Sequence, residues 1–325
     1  MDLSKINTVI ASGGGIRSFC FIGFFKSFLQ LIDIKQIRHF VGTSAGALFS
    51  LCIILGYSLD EITKILFKYD FNKIIPSFSN SIDDLFLNYG LSDGAEMKKF
   101  IYDLIEYKIG KDKLDITFLE LYELTGLKLT ITVTNFTLQT VEYWNYENTP
   151  SNLIIDGIMA TVRIPLVFTP LEINNMHYLD GGLVNNYPID FIPLEEIDTV
   201  IGVCLTSKKN TDEIKNLFNI DNKYDKIMTY IIDILTLSFN SKFITINKKY
   251  MDRTIRLDMK FVGFLDTNLS DDTKNQMIDY SFETTNTFFN NNIIKETDKE
   301  TDKETDKKTD KETDEETDEE TENLE

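Results

Sequence analysis

The sequence predicts an α/β fold in which a sheet is covered by helices on both of its faces. Short apolar runs with the length of buried strands alternate with longer apolar runs with the length of helices. This alternation is typical of parallel strands joined by helical crossovers. Hydrophobic residues make up 42% of the 325 residues, which is enough for a large core and excludes a wholly disordered or fibrous protein.

The first 60 residues show this alternation most clearly. We predict a strand over residues 7–12, a glycine-rich turn over 13–18 and a helix over 19–34. A second strand over 39–43 leads through a short turn into an apolar helix over 45–57. Each glycine-containing turn therefore follows the end of a strand.

Later segments continue the pattern with less regularity. Helices are predicted over residues 59–69, 96–109, 118–124, 154–161 and 227–239. Strands are predicted over residues 127–134, 140–144, 171–173, 177–179 and 198–205, the first of them half-buried because its side chains alternate. Residues 71–89 contain Pro76 and scattered aromatic side chains without a sustained period, which predicts an irregular cap or loop.

Charge divides the chain into a body and a tail. Residues 295–325 repeat Glu-Thr-Asp-Lys, and their 16 acidic and 6 basic residues carry −10 of the formal net charge of −19. Dense charge without an apolar face predicts a disordered tail. The body keeps a charge of −9, so it offers nucleic acid no basic surface. We predict a main domain over 8–191 and a C-terminal strand and helices on the same core over 192–294.

Cysteine content and the N-terminus bear on the compartment. Cys20, Cys52 and Cys204 lie in apolar runs, as buried free thiols of a reducing compartment do. The N-terminus lacks the features of a signal peptide, and charged residues such as Lys26 and Asp233 interrupt the longest apolar stretches. We expect a cytoplasmic protein, or one peripheral to an intracellular membrane. Without a CxxC or His-rich cluster, we expect no metal and no cofactor.

A G-x-S-x-G motif lies between a predicted strand and a predicted helix, and consists of Gly42, Thr43, Ser44, Ala45 and Gly46. In a nucleophile elbow, this context holds the serine on a strained turn with its hydroxyl exposed above the sheet, and the glycines let neighbouring backbone approach. The motif therefore predicts Ser44 as a nucleophile. A small-residue turn without chemistry is the alternative.

A second glycine-rich turn precedes the first predicted helix, and its residues are Gly13, Gly14, Gly15, Ile16 and Arg17. Successive backbone N–H groups at the start of a helix favour an anion. Such a turn serves as an oxyanion hole beside a serine nucleophile, or as a dinucleotide-binding turn. The nucleotide use needs another glycine where the chain has Ser18, which weakens it.

A serine nucleophile needs a base, and two kinds of base compete. In α/β-hydrolases the catalytic serine, acid and histidine follow one another in this order along the chain. In that order His177 would be the histidine of a triad whose acid is a residue such as Asp156, but His177 lies on a predicted exposed hairpin. Asp180 instead ends a short strand, and Gly181 and Gly182 leave room beside its carboxylate. Such an aspartate can accept the serine proton directly. An Asx-type turn is the structural alternative.

The three motifs, in this order, resemble the patatin-like phospholipase family. The similarity extends to residues 117–122 ahead of the strand that reaches Asn135, to Ile164-Pro165 ahead of Pro170, and to Asn186-Tyr187-Pro188. It covers residues 8–191, well over half of the chain. We therefore expect these residues to form a patatin-like phospholipase domain.

The resemblance implies a three-layer α/β/α fold related to cytosolic phospholipase A2. It also implies a Ser-Asp dyad that cleaves fatty-acyl esters through a serine acyl-enzyme without a metal. By this similarity Ser44 looks like the nucleophile, Asp180 the general base, and the N–H groups of residues 13–17 the oxyanion hole. Ser18 stands where the family usually has glycine, a departure that bears on the geometry of that hole.

The resemblance thus implies a lipid acyl hydrolase of the phospholipase A type, a serine esterase of lipid degradation that acts on phospholipid or another acyl-ester lipid. Two alternatives remain open: a non-catalytic lipid-binding relative, and an acyltransferase that uses the same dyad. The helix over 45–57 and the aromatic-rich residues 67–86 are candidates to line or cover an acyl tunnel and to meet a membrane surface.

Overall fold

The computed structural model describes residues 1–74, 85, 87–206, 229–239, 248–260 and 262–292. The strands of these residues are β1 (Thr8–Ala11), β2 (His39–Thr43), β3 (Gly90–Ser92), β4 (Lys128–Asn135), β5 (Thr140–Trp144), β6 (Leu166–Phe168), β7 (Leu171–Ile173), β8 (Met176–Asp180), β9 (Val200–Thr206) and β10 (Thr254–Asp258). The helices are α1 (Phe19–Phe28), α2 (Ala45–Ile54), α3 (Leu59–Lys68), α4 (Ala95–Ile109), α5 (Phe118–Thr125), α6 (Ile154–Thr161), α7 (Gly182–Asn185), α8 (229–239), α9 (Lys248–Met251) and α10 (271–292).

Eight of these strands form one sheet, and its parallel part runs in the order β10-β9-β1-β2-β4. The sheet is buried on both faces: in β1, Val9 and Ala11 belong to one hydrophobic core and Ile10 to a second. Because side chains alternate along a strand, the two cores lie on opposite faces. The structure thus confirms the predicted α/β fold with helices on both sides of the sheet.

Strands β2 and β8 meet end to end along one edge of β4. The parallel partner of β4 is β2 up to the pair Thr43–Thr132, whereas β8 takes over, antiparallel, at the pair Asp180–Val133. Strand β5 pairs with the same stretch of β4, so it occupies the other edge. Because β2 and β8 run toward each other, the residues that follow Thr43 and end β8 come together.

Two predicted helices are shorter than their apolar runs. Helix α1 ends at Phe28 rather than at residue 34. Leu29 and Leu31, which follow it, are exposed, so the apolar run continues past the part of the chain that the helix buries. Helix α2 ends at Ile54, and Gly56 follows at φ +83°. A left-handed glycine just beyond the last turn is a common helix stop.

Other predicted elements differ from the structure where burial and strand pairing depend on distant parts of the chain. Strand β4 is almost wholly buried rather than half-buried, because it lies inside a sheet that has helices on both faces. The short parallel pair β3–β6 and the edge strand β10 were not predicted. Three-residue strands show no measurable period, and β10 carries the charged Arg256 and Asp258.

The C-terminal helix α10 packs on α1. A Cβ atom at Gly23 of α1 would lie 2.0 Å from Ser281 Oγ, and that hydroxyl donates a hydrogen bond to the Cys20 carbonyl at 2.6 Å. Met277 and Phe289 belong to the same hydrophobic core as α1. The predictions for most of the irregular segment, residues 75–84 and 86, and for the tail over 295–325 lie outside the described residues. Within the described part of the chain, no helix combines the length and apolar character that a membrane crossing requires.

Candidate active site

Ser44 occupies a sharp turn between β2 and α2. Its backbone has φ +50° and ψ −124°, a combination that costs free energy in any residue other than glycine. The turn is tight because a Cβ atom at Gly46 would lie 2.4 Å from the Ala11 carbonyl oxygen. Ser44 is 5% exposed, and it occupies the position that a nucleophile elbow gives its serine.

The other residues of this motif support the turn. Gly42 lies against the backbone of Ala47, where a Cβ atom would come within 2.5 Å. The Thr43 hydroxyl donates a hydrogen bond to the Asn185 carbonyl at 3.1 Å, which connects the turn to the segment after Asp180. Ala45 lines a large apolar cavity that begins at Ser44.

Asp180 is the last residue of β8 and is 2% exposed. The N–H of Gly182 donates to its Oδ1 at 2.7 Å. Its backbone is held as well, because its carbonyl accepts the Thr134 hydroxyl at 2.9 Å and its N–H donates to the Arg163 carbonyl at 2.8 Å. Gly181 follows with its backbone against Thr132. The carboxylate is therefore fixed beside the cavity that it shares with Ser44.

Burial raises the pKa of the Asp180 carboxyl from 3.8 to about 7, because a low-dielectric environment disfavours its charged form. The neighbouring Ser44 side chain and the Gly182 N–H act in the opposite direction as hydrogen-bond donors. A carboxyl with a pKa near neutrality can accept a proton at physiological pH and later return it.

The glycine-rich turn presents two amide N–H groups that have no partner among the described residues, those of Gly14 and Gly15. The N–H of Gly13 donates to the Asn186 carbonyl at 3.0 Å, that of Ile16 to the Phe264 carbonyl at 3.0 Å and that of Arg17 to the Gly14 carbonyl at 3.2 Å. Of the five predicted oxyanion-hole residues, three thus use their amides within the fold. Gly14 and Gly15 remain as donors beside Ser44.

The conformation of this turn depends on Gly15. Its φ is +55°, and a Cβ atom there would lie 2.2 Å from the Phe264 carbonyl oxygen, so only glycine fits. Arg17 is 4% exposed and its Nε donates to the Gly14 carbonyl at 3.2 Å. Burial lowers the pKa of Arg17 to about 10, so the side chain stays charged at neutral pH while it supports the turn.

Ser18 does not disturb the turn. Its φ of −56° and ψ of −17° lie in the right-handed helical region, which every L-residue can adopt. Ser18 is buried at the start of α1 and lines the large apolar cavity. The departure from glycine at this position therefore leaves the two amide donors in place.

Two cavities meet at Ser44. The small cavity has polar as well as apolar atoms in its wall, and it is lined by Gly13, Gly14, Gly15, Arg17, Ser44, Ile164, Asp180, Asn186, Phe239 and Phe264. The larger one is apolar and follows α2 past Leu48 and Phe49 to Cys52, with Phe100 and Leu104 of α4 opposite. With a rise of about 1.5 Å per residue, the eight positions from Ser44 to Cys52 span roughly 12 Å.

The histidines and Asp156 lie elsewhere. His177 is exposed and lines a different groove with Tyr89. His39 accepts or donates a hydrogen bond with Thr130 Oγ1 at 2.8 Å, and burial with the nearby Lys128 lowers its pKa to about 3. Asp156 is half-buried on α6 and does not line either cavity at Ser44. The described residues therefore do not assemble the alternative histidine triad.

Several contributors to the site carry no motif in the sequence. Phe264 supports the glycine-rich turn through its carbonyl, and its ring contacts Phe239 at 5.6 Å between centroids. A Cβ atom at Gly14 would lie 2.3 Å from Leu205 Cδ1. Thr161 accepts the N–H of Ser44 at 2.8 Å. Of these residues, Thr161 alone lies near a segment with family similarity. In the part of the chain that the structure describes, no group of three His, Cys, Asp or Glu side chains is placed to hold a metal ion.

Comparison with known proteins identifies similar sequences and folds. A family model described as patatin-like phospholipase matches residues 9–192. The chain is 29% identical over 259 residues to uncharacterized protein R571 of Acanthamoeba polyphaga mimivirus, covering 78% of this chain and 82% of the relative. It is 31% identical over 186 residues to probable lipid hydrolase 463L of Invertebrate iridescent virus 6, covering 56% of this chain and 62% of that protein.

Solved structures with little sequence identity share the fold. VipD from Legionella pneumophila superposes with a TM-score of 0.59 at 15% identity, over 89% of this chain and 67% of that one. ExoU in its heterodimeric complex with SpcU from Pseudomonas aeruginosa superposes with a TM-score of 0.51 at 14% identity, over 88% of this chain and 52% of that one.

Proposed function

Because the chain belongs to the patatin-like phospholipase family, we propose that it hydrolyses fatty-acyl esters of lipids by a phospholipase A-type reaction through a serine acyl-enzyme. Family membership and the similarity to a probable lipid hydrolase support lipid acyl hydrolase activity. The observation that carries the finer proposal is that Ser44 and Asp180, the latter with a raised pKa, line one cavity together with Gly14 and Gly15.

In the first half-reaction, the Ser44 hydroxyl attacks the ester carbonyl carbon while the Asp180 carboxylate accepts the hydroxyl proton. The carbonyl oxygen becomes an oxyanion and accepts hydrogen bonds from the Gly14 and Gly15 amides. Collapse of the tetrahedral intermediate breaks the ester bond, and protonated Asp180 returns its proton to the departing alcohol. The acyl group is then bonded to Ser44 Oγ.

In the second half-reaction, Asp180 accepts a proton from water, and the resulting nucleophile attacks the acyl-enzyme carbonyl. The intermediate collapses, the fatty acid leaves, and Asp180 returns the proton to Ser44 Oγ. One carboxyl thus serves as base and as acid in both half-reactions, which a pKa near 7 favours.

The larger cavity suits the acyl chain of such a substrate. Its lining is almost entirely aliphatic and aromatic, and it opens at Ser44 beside Ile164 and Val162. An extended chain advances by about 1.2 Å per bond, one third of the length of an extended residue, so roughly 12 Å accommodates about ten carbons. A phospholipid or another long-chain acyl ester would place its apolar chain there and its polar part toward the small cavity.

A lipid panel tests the proposal. The full-length protein is incubated with phospholipids, lysophospholipids, mono- and triacylglycerols, and the products are analysed by mass spectrometry, with Ser44→Ala as the blank. We expect release of free fatty acid from at least one class, absent from the blank. No labelling of Ser44 by a fluorophosphonate, together with no release of fatty acid in water, would favour the lipid-binding relative. Transfer of the acyl group to an added alcohol in preference to water would favour the acyltransferase.

The raised pKa of Asp180 predicts a pH profile. Below pH 7 most of the carboxyl is protonated and cannot accept the Ser44 proton, so kcat/KM should rise about tenfold per pH unit. Above the pKa of about 7 the profile should become flat. The measurement is kcat/KM for an uncharged short-chain ester from pH 5 to pH 9, in buffers of constant ionic strength. An inflection near pH 4 would contradict the raised pKa.

The apolar cavity predicts selectivity for chain length. Leu48→Trp should fill the cavity and lower kcat/KM for a dodecanoyl ester at least about tenfold relative to an acetyl ester, since each buried CH₂ contributes about 0.8 kcal/mol. Leu48 lines the cavity, whereas Ile53, also half-buried on α2, does not. Ile53→Trp is therefore the matched control and should leave the ratio unchanged. Equal ratios in both variants would contradict this use of the cavity.

A further inference from the structure

A buried threonine connects the backbone of Ser44 to strand β4. Thr161, the last residue of α6, is fully buried. The N–H of Ser44 donates to Thr161 Oγ1 at 2.8 Å, and the Thr161 hydroxyl donates to the Thr132 carbonyl at 2.6 Å. A hydroxyl has one proton to donate, and here that proton is directed at β4, so a lone pair faces Ser44.

The same end of α6 also holds Asp180. The carbonyl of Arg163, two residues after Thr161, accepts the N–H of Asp180 at 2.8 Å. Asp180 pairs with Val133, and the next residue, Gly181, has its backbone against the Thr132 carbonyl, where a Cβ atom would lie 2.1 Å away. The acceptor that anchors Thr161 thus lies against the turn that follows the proposed base.

Ser44 needs a restraint from outside its own turn. Its φ of +50° and ψ of −124° are unfavourable for a residue with a side chain. Such a conformation persists only when the surroundings over-determine it. The hydrogen bond to Thr161 fixes the direction of the Ser44 N–H. The Ser44 backbone therefore cannot rotate toward a more favourable φ and ψ without breaking this bond.

We propose that Thr161 is a positioning residue whose hydroxyl holds the Ser44 elbow so that Oγ faces Asp180. This inference rests on the proposed function, because it takes Ser44 to be the nucleophile. Thr161 does not line either of the two cavities at Ser44. It therefore acts through Ser44 and not on the substrate. A displacement of a reacting group such as Ser44 Oγ by about 1 Å can lower a rate by about 10²-fold. Because Thr161 does not contact the substrate, we expect its loss to lower kcat and to leave KM nearly unchanged.

Three variants of the full-length protein separate the hydroxyl from the rest of the side chain. Thr161→Val keeps the shape, Thr161→Ala removes hydroxyl and methyl, and Thr161→Ser keeps the hydroxyl. The readouts are the rate of Ser44 labelling by a fluorophosphonate, kcat and KM for a short-chain ester, and Tm. We expect Val and Ala to lower labelling and kcat about 10- to 10²-fold with KM changed less than about twofold, and Ser to stay within about threefold of wild type.

Thr285→Val is the matched control, because Thr285 is also fully buried and its hydroxyl donates to the Ser281 carbonyl at 2.7 Å, far along the chain in α10. It should leave the labelling rate unchanged. Labelling of folded Thr161→Val or Thr161→Ala at the wild-type rate would overturn the inference. So would a Thr161→Ser variant as slow as Thr161→Val, or hydroxyl-free variants that lose their folded circular dichroism spectrum while Thr161→Ser keeps it.

The same measurements distinguish a failure of the proposed function from a failure of the inference about Thr161. A wild-type protein that neither reacts with the fluorophosphonate nor cleaves any ester would overturn the proposed function and this inference together. A wild-type protein that does both, with hydroxyl-free variants that match it, would overturn the role of Thr161 alone.

Discussion

Replacement of Ser44 by alanine is expected to lower the rate of ester cleavage by about 10⁴- to 10⁶-fold, the range seen when a serine nucleophile is removed. Without Oγ no acyl-enzyme can form, and the remaining cavity and amide donors can only bind the ester. The variant should also lose all labelling by a fluorophosphonate. Its Tm should stay at or above the wild-type value, because alanine removes a polar group from a site that is 5% exposed.

The matched control for this variant is Ser50→Ala, six positions later, on helix α2, which begins directly after Ser44. Ser50 is 2% exposed and does not line the large or the small cavity at Ser44. Its alanine variant should keep wild-type cleavage and labelling. Undiminished cleavage by Ser44→Ala would exclude Ser44 as the nucleophile, and an equal loss in both variants would point to damage to α2.

The fold could be predicted where the local pattern is sufficient. Helix α6 has the bounds 154–161 that the sequence predicts, because a compact apolar run precedes Pro165. Helix α1 is shorter than predicted because the sequence cannot distinguish buried apolar residues from exposed ones such as Leu29 and Leu31. The burial of β4 on both faces likewise depends on helices far away in the sequence.

The three motifs of the candidate site could be predicted from the sequence, but the way in which the fold brings them together could not. Each motif is a contiguous run with a strand before it, so its residues could be named from the sequence. That residues 44 and 180 meet depends on the register of β4, which pairs with Thr43 and Asp180 at successive positions. The contributions of Thr161 and Phe264 depend on backbone atoms of other segments, which leave no trace in local composition.

Replacement of Asp180 by asparagine is expected to abolish cleavage and to stabilise the fold at alkaline pH. The amide cannot accept the Ser44 proton, so the rate should fall by at least about 10⁴-fold. Asparagine keeps an oxygen that can accept the Gly182 N–H, which now donates to Asp180 Oδ1 at 2.7 Å. The loss of activity should therefore not come from a lost fold.

The stability effect follows from the raised pKa. Between pH 3.8 and about 7 the folded protein keeps a proton on Asp180 that the unfolded chain has lost, so wild-type stability falls as pH rises through this window. Above pH 7 the buried carboxylate is charged, at a cost of up to about 4 kcal/mol, taking 1.36 kcal/mol per pKa unit. Asparagine avoids this cost, so its Tm should exceed that of wild type at pH 8.5 and approach it at pH 4.5. Asp190→Asn, at an exposed aspartate ten positions later in the chain, is the control for the amide substitution itself and should change Tm little. If Asp180→Asn has a lower Tm than wild type at pH 8.5, the carboxyl is stabilised as an anion, and the base of the reaction must work from an ordinary low pKa.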